Sequence, residues 1–166
     1  MIAEQSYAER IGAAYGHQVY RDALFEALAE LARSPRRVQK WHVLRQLQLE
    51  NRFRIRRILE CQGLETTEDP ARRACGRRHG RTLARRRWMD LMDSLLAELS
   101  GSIRGLEELE RLAPRADARS LGRATASEVA LRSFARLELS GRGGESLGPA
   151  LALLDSCRER PASRSA

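Results

Sequence analysis

The sequence predicts an all-α protein, an up-and-down four-helix bundle with a short fifth helix near its C-terminal end. Three observations predict it. Apolar residues recur at steps of three and four through four segments of roughly 24–30 residues, the spacing that lines one face of a helix. No stretch alternates apolar and polar residues with the period of two that a half-buried strand needs. The apolar content, 42% of 166 residues, is mostly Leu and Ala, with aromatics at only 5%, and Leu and Ala favour helix over strand. A chain of this length is expected to form one domain over residues 1–155, followed by a disordered tail over 156–166.

The first segment spans about residues 5–33, with Ala13, His17, Tyr20, Leu24, Ala27, Leu28 and Leu31 at helical spacing. Opposite them, Asp22, Glu26 and Glu30 form an acidic stripe, expected to be a solvated outer face. Ser34-Pro35 supplies the start of the second segment, with Pro at the first helical position. That segment runs to about 62 on a face of Trp41, Leu44, Leu47, Ile55, Ile58 and Leu59, and Gly63 ends it in a C-cap position. Residues 71–87 hold eight Arg and no acid, and Gly76 and Gly80 are expected to loosen this connection. The third segment covers about 82–112 on Trp88, Leu91, Met92, Leu95, Leu99, Ile103, Leu106 and Leu109. Pro114 breaks the chain, and the fourth segment covers about 117–140 with Leu121, Ala124, Leu131, Ala135 and Leu139. After the linker Ser140-Gly-Arg-Gly-Gly144, Ser146 is expected to cap the short fifth helix.

Helical bundles place their ligand chemistry on inward faces. The polar residues inside the apolar arcs are therefore the candidate ligand-binding or polar-core positions: His17, Arg21, Gln48, Asn51, Ser102, Glu128 and Glu138. The length, the helix order and this polar placement resemble the ferritin-like superfamily, whose rubrerythrins and bacterioferritins bind two metals. The resemblance implies one inward carboxylate from each of two helices and a Glu-x-x-His pair from each of the other two, because residues three apart share a helix face. The motif is missing. The second segment has Gln48-Leu-Glu-Asn51, the fourth has Glu128-Val-Ala-Leu131, and no Glu-x-x-His occurs in the chain. Trp41-His-Val-Leu44 and Ser127-Glu-Val-Ala-Leu131 also resemble small bacterial ferritin-like proteins of unknown function.

The expectation is therefore a non-catalytic bundle with a structural, regulatory or binding role, no intact di-metal site and no cofactor. Arg21 or His17 would pair with Glu128, and Gln48 and Asn51 would bond across the core. Two other readings of these positions are an altered metal site of Glu128, His17 and Glu138, which would make a non-standard metal-dependent enzyme, and a pocket for a small ligand.

The net charge of +8 and pI near 10.5 raise the question of an anionic partner. All the basic residues except Lys40 are arginine, an imbalance that a GC-rich coding sequence produces on its own. The alternative function is nucleic-acid association through Arg72, Arg73, Arg77, Arg78, Arg81, Arg85, Arg86 and Arg87. Aromatics are not interleaved there before Trp88, so base stacking is not indicated. Phosphate-loop, dinucleotide, nucleophile-elbow and zincin motifs are absent. His42 reads as a surface residue and His79 as solvated. Cys61, Cys75 and Cys157 form no CxxC pair. The opening residues hold no apolar stretch of a secretory signal, and no run is long enough to span a membrane, so the expected location is cytoplasmic. A homodimer is a possible assembly, with Trp41 or Trp88 as a candidate contact, and the sequence does not separate a Trp in the core from one in an interface.

Overall fold

A computed structural model of the chain describes residues 6–158. Among them are six helices and no strand: α1 (Tyr7–Leu31), α2 (Pro35–Cys61), α3 (Pro70–Ala84), α4 (Trp88–Leu112), α5 (Arg115–Leu139) and α6 (Gly148–Arg158). None is long and apolar enough to cross a membrane.

Local sequence explains the helix ends. Ser6 and Glu9 close a capping box at the start of α1, satisfying backbone donors that the first turn leaves free. Ser34 caps α2 and Pro35 occupies its first turn, as the sequence predicts. Gly63 takes φ 66°, a left-handed conformation that only glycine adopts without strain. There Leu64 N–H donates to the Leu59 carbonyl at 2.9 Å and Gly63 N–H to Glu60 at 3.1 Å, the paired bonds of a Schellman stop. The tail expected from residue 156 lies outside the described residues from 159 onward; α6 itself reaches Arg158. Ser146 does not cap α6 in the expected way: its hydroxyl donates to Glu138 and to the Gly143 carbonyl.

Helix directions follow from the contacts at each end. At one end Tyr7 and Gln62 both donate to Asp117, and Arg10 pairs with Glu108. At the other, Lys40 and Trp88 both donate to Glu138. The beginnings of α1 and α5 therefore share an end with the finishes of α2 and α4. Contacts of α1 with α2, α2 with α5, α5 with α4 and α4 with α1 close a ring. The expected strict up-and-down order is corrected here. Helices α2 and α4 run the same way, so the chain must return the full length of the molecule between them. Residues 71–87 are that return. They form helix α3 instead of a loose basic connection, and α4 starts at Trp88 instead of about residue 82.

Helix α3 lies parallel to α1 in a fixed register. Arg72 reaches Gly16, Gly76 meets Tyr20, and Gly80 meets Leu24. A Cβ at Gly80 would lie 2.7 Å from the Leu24 carbonyl oxygen and 2.8 Å from the Ala27 Cβ, and one at Gly76 would overlap the Tyr20 carbonyl oxygen. The two glycines thus let the helix backbones approach, which corrects the expectation that they loosen this segment. The acidic stripe of α1 is solvated only at Glu30, which is exposed; Glu26 is half-buried and Asp22 buried, which corrects the expectation for these two. Asp22 is 1% exposed and accepts from Arg45 at 2.7 Å, Arg73 at 3.1 Å and Arg52 at 3.3 Å. Glu26 pairs with Arg45 and Arg77, and Glu30 with Arg77. With α2, α3 and α4 all against it, α1 is buried on most sides, so Ile11, Tyr15, Val19, Ala23 and Phe25 join the core while Ala13 and Leu31 are exposed.

The apolar stripes read from the other three long segments are buried in the structure, apart from half-buried Trp88 and Leu139. They form two clusters. One, near the start of α2, centres on Phe25, Trp41, Met92 and Phe134; the other, near the start of α1, centres on Ile11, Ile55, Leu106 and Leu121. Trp41 is 1% exposed and packs with Phe25, Trp88 and Phe134. Of the two alternatives open for it, core or interface, Trp41 is a core residue.

Candidate functional site

Along every helix of the ring, the two apolar clusters are separated by polar residues: Arg21 on α1, Gln48 and Asn51 on α2, Ser102 on α4 and Glu128 on α5. The structure joins most of them around one carboxylate. Arg21 and Glu128, both with fully buried side chains, form an ion pair at 3.4 Å. Gln48 Nε2 donates to Glu128 Oε1 at 3.4 Å, and the Ser102 hydroxyl donates to Oε2. Arg21 also lies 2.9 Å from His17 Nε2. A guanidinium only donates, so His17 accepts at Nε2 and carries its proton on Nδ1.

The electrostatics follow from this arrangement. Burial opposes the charge on Glu128, but the Arg21 guanidinium and the bonds from Ser102 and Gln48 outweigh it and hold the carboxyl below its ordinary range. Burial and then the charge of Arg21 push His17 down to about 4, against the opposing pull of Glu128. His17 is therefore neutral at pH 7 in the fold, whereas an unfolded His gains its proton near pH 6.5. Between pH 6.5 and about 4 the unfolded chain binds the extra proton, so stability is expected to fall as pH falls through that window. Depression of the Glu128 pKa acts in the same direction at lower pH. Urea unfolding of His17→Gln, which keeps an acceptor but cannot titrate, is expected to show a flatter pH dependence than the parent. An unchanged slope would contradict the assignment.

Two predicted positions fall outside this cluster. Asn51, one turn from Gln48, bonds to Arg54 at 3.4 Å instead of crossing the core. Glu138 lies ten residues beyond Glu128, about 15 Å along the helix, and cannot share a site with it. Glu138 instead accepts from Lys40, Ser146 and Trp88, the last at 2.8 Å, and ties α2, α4 and α5 to the segment before α6. Burial opposes its charge, but the bonds from Lys40, Ser146 and Trp88 keep its carboxyl below the usual range.

These residues do not fit the di-metal centre that the resemblance implies. The one central carboxylate is engaged by three donors, and a fixed positive guanidinium stands where cations would have to gather. Among the described residues no group of three or more His, Cys, Asp or Glu is placed to hold a metal ion.

Beside the ion pair, α1 and α4 touch sparingly and leave a cleft of about 580 Å³. His17 and Ser102 line it, so two of the groups that contact the buried pair also face the cleft. Gln18 lines it as well; it is 1% exposed, and its Oε1 has no hydrogen-bond partner. Ala14, Leu106 and Leu109 supply apolar wall, and Arg10, Glu98 and Glu108 add charge. The sequence reading missed Gln18 because α1 is buried on several sides, so no single polar face distinguishes it.

The predicted basic segment is divided among different surroundings. Arg73 and Arg77 are engaged with Asp22, Glu26, Glu30 and Glu68. Arg72 lies beside Gly16, Arg78 is exposed and Arg87 is the N-cap residue of α4. Arg81, Arg85 and Arg86 line a separate pocket. His79 is half-buried instead of solvated, bonded to the Tyr20 hydroxyl and 3.5 Å from Glu98. His42, Cys61 and Cys75 are exposed, in keeping with a surface role for His42.

The chain matches no family model, and no curated protein or solved structure is significantly similar to it.

Proposed function

We propose that this chain is a ferritin-like four-helix bundle in which an Arg–Glu pair stands in the place of a di-metal centre, and that it acts as a non-catalytic binding protein for a small organic molecule. A single long crossover between the second and third bundle helices supports the fold assignment, since ferritin-like bundles are connected that way. So does the polar layer at mid-height, where bundles of this type place their ligand chemistry. The observation that carries the binding role is the α1–α4 cleft. Its volume, about 580 Å³, is within the range of small-molecule pockets, which combine apolar walls with a few fixed polar groups. Gln18 Oε1 is a buried acceptor without a partner, and such a group favours an occupant that brings a donor. The expected ligand is mostly apolar and carries an N–H or O–H.

The test is an NMR titration with a set of phenols, alcohols and primary amides, read at the backbone amides of Ala14, Gln18, Ser102 and Gly105. Binders are expected to shift these signals together. Gly105 also lines the cleft, and a Cβ there would meet nothing within 4 Å. Gly105→Phe should therefore fill the cleft, leave the fold intact and abolish the shifts. Absence of shifts across the set, or shifts that survive Gly105→Phe, would contradict the proposal.

A further inference from the structure

A second pocket lies at the opposite end of α1, where α1 and α3 finish and α2 and α4 begin. It has a volume of about 550 Å³ and is lined by Arg33, Arg37, Arg81, Arg85 and Arg86, with Trp88 among its apolar walls. Among the described residues none of these five guanidiniums is paired with a carboxylate, although Arg45, Arg52, Arg73 and Arg77 elsewhere in the molecule all are. What sets these five apart is convergence: they line one concavity, and no acid lines it with them. All five are exposed, so water and salt screen their repulsion; what they offer an anion is a converging set of charged donors.

Two of the five arginines are anchored. The Arg37 guanidinium sits over the Trp88 ring at 4.4 Å from its centroid, a cation–π contact that fixes the plane of its donors. Arg86 is anchored by a 2.6 Å bond to Ser94. Trp88 is in turn held by its bond to Glu138. Helix α4 starts here on Arg87 without a side-chain cap, so its first-turn N–H groups add positive potential at the same end. Planar guanidinium forks match phosphate oxygens in pairs, and five of them exceed what one phosphate needs.

We infer that this pocket binds a compact polyphosphate group, either an inorganic chain or the polyphosphate of a nucleotide. The site is distinct from the α1–α4 cleft and draws on arginines from the α1–α2 connection, α2, α3 and the α3–α4 connection, not on the basic segment alone.

The probe is inorganic tripolyphosphate, titrated at 150 mM salt and followed by tryptophan fluorescence and calorimetry. Saturable 1:1 binding is expected. Arg81→Ala and Arg85→Ala should each weaken it at least tenfold. Arg78→Ala removes the same charge from the same helix but does not touch the pocket, and it should change affinity less than twofold. A nucleoside triphosphate and a 20-residue oligothymidylate form two further arms. Tighter binding of the nucleoside triphosphate would identify an organic polyphosphate, and tighter binding of tripolyphosphate an inorganic one; either supports the site. No binding at 150 mM salt would overturn it. So would equal losses in Arg78→Ala and Arg85→Ala, or oligothymidylate binding that dominates and responds alike to both, since the arginines would then be acting as diffuse charge. Melting temperatures of all three variants, expected to match the parent, exclude unfolding as the cause of a loss.

Discussion

Gly76→Ala is expected to destabilise the protein by ~3 kcal/mol or more, the upper part of the range for overpacking a close contact. The direction is the reverse of what helix propensity alone gives, because Gly→Ala inside a helix is normally worth up to ~1 kcal/mol in favour of Ala. The added methyl would overlap the Tyr20 carbonyl oxygen and lie 3.1 Å from the Ala23 Cβ. Both belong to the body of α1, so neither can rotate aside as the tip of a long side chain does. Relief requires α3 to move off α1. That movement would pull Arg73 and Arg77 from Asp22, Glu26 and Glu30, leaving Asp22 buried with fewer partners. Gly80→Ala should act in the same way. Gly101→Ala is the control, because a Cβ there would meet nothing within 4 Å, and it should raise stability by up to ~1 kcal/mol. Urea unfolding followed by circular dichroism measures all three. A Gly76→Ala protein as stable as the parent would mean that α3 is not seated on α1 in this register.

The same contact marks how far the sequence alone carries. The stripes of α2, α4 and α5 are legible because each helix buries one face, and the helix period picks that face out. The Ser34-Pro35 start and the Gly63 stop are legible because their chemistry is local. Helix α1 is blurred because three helices surround it, so apolar residues such as Ile11, Val19 and Phe25 fall outside any one stripe. Helix α3 is hidden because its arginines and glycines look like breaker and solvent residues until α1 is placed beside it. A signal was present: Arg73 and Arg77 are spaced four apart, the pitch of Asp22, Glu26 and Glu30, and Gly76 and Gly80 repeat that spacing. Each pattern gains meaning only from the other, and the pairing spans about fifty residues of sequence. The central site was partly legible. Arg21, Gln48, Ser102 and Glu128 fall inside the apolar arcs of their helices and are joined in the structure. Glu138 was inward too, but its height along α5 separates it from Glu128, and face analysis carries no information about height.

The Arg21–Glu128 pair holds the centre of the helix ring, and a double-mutant cycle reads its strength. Arg21→Met or Glu128→Leu alone leaves a charge in the core without its partner, and each is expected to lower the unfolding free energy by ~3–5 kcal/mol. The double variant removes both charges together, and replacement of a buried ion pair by apolar residues of similar size is often neutral or better. Here Gln48, Ser102 and His17 also lose a partner, so the double variant should recover most of the loss and not all of it. The measurement is urea unfolding of the four proteins at pH 7. A coupling of at least ~3 kcal/mol between the two positions is the predicted result. Losses that simply add, with the double variant as damaged as the sum of the singles, would contradict the pair and its role at the centre of the helix ring.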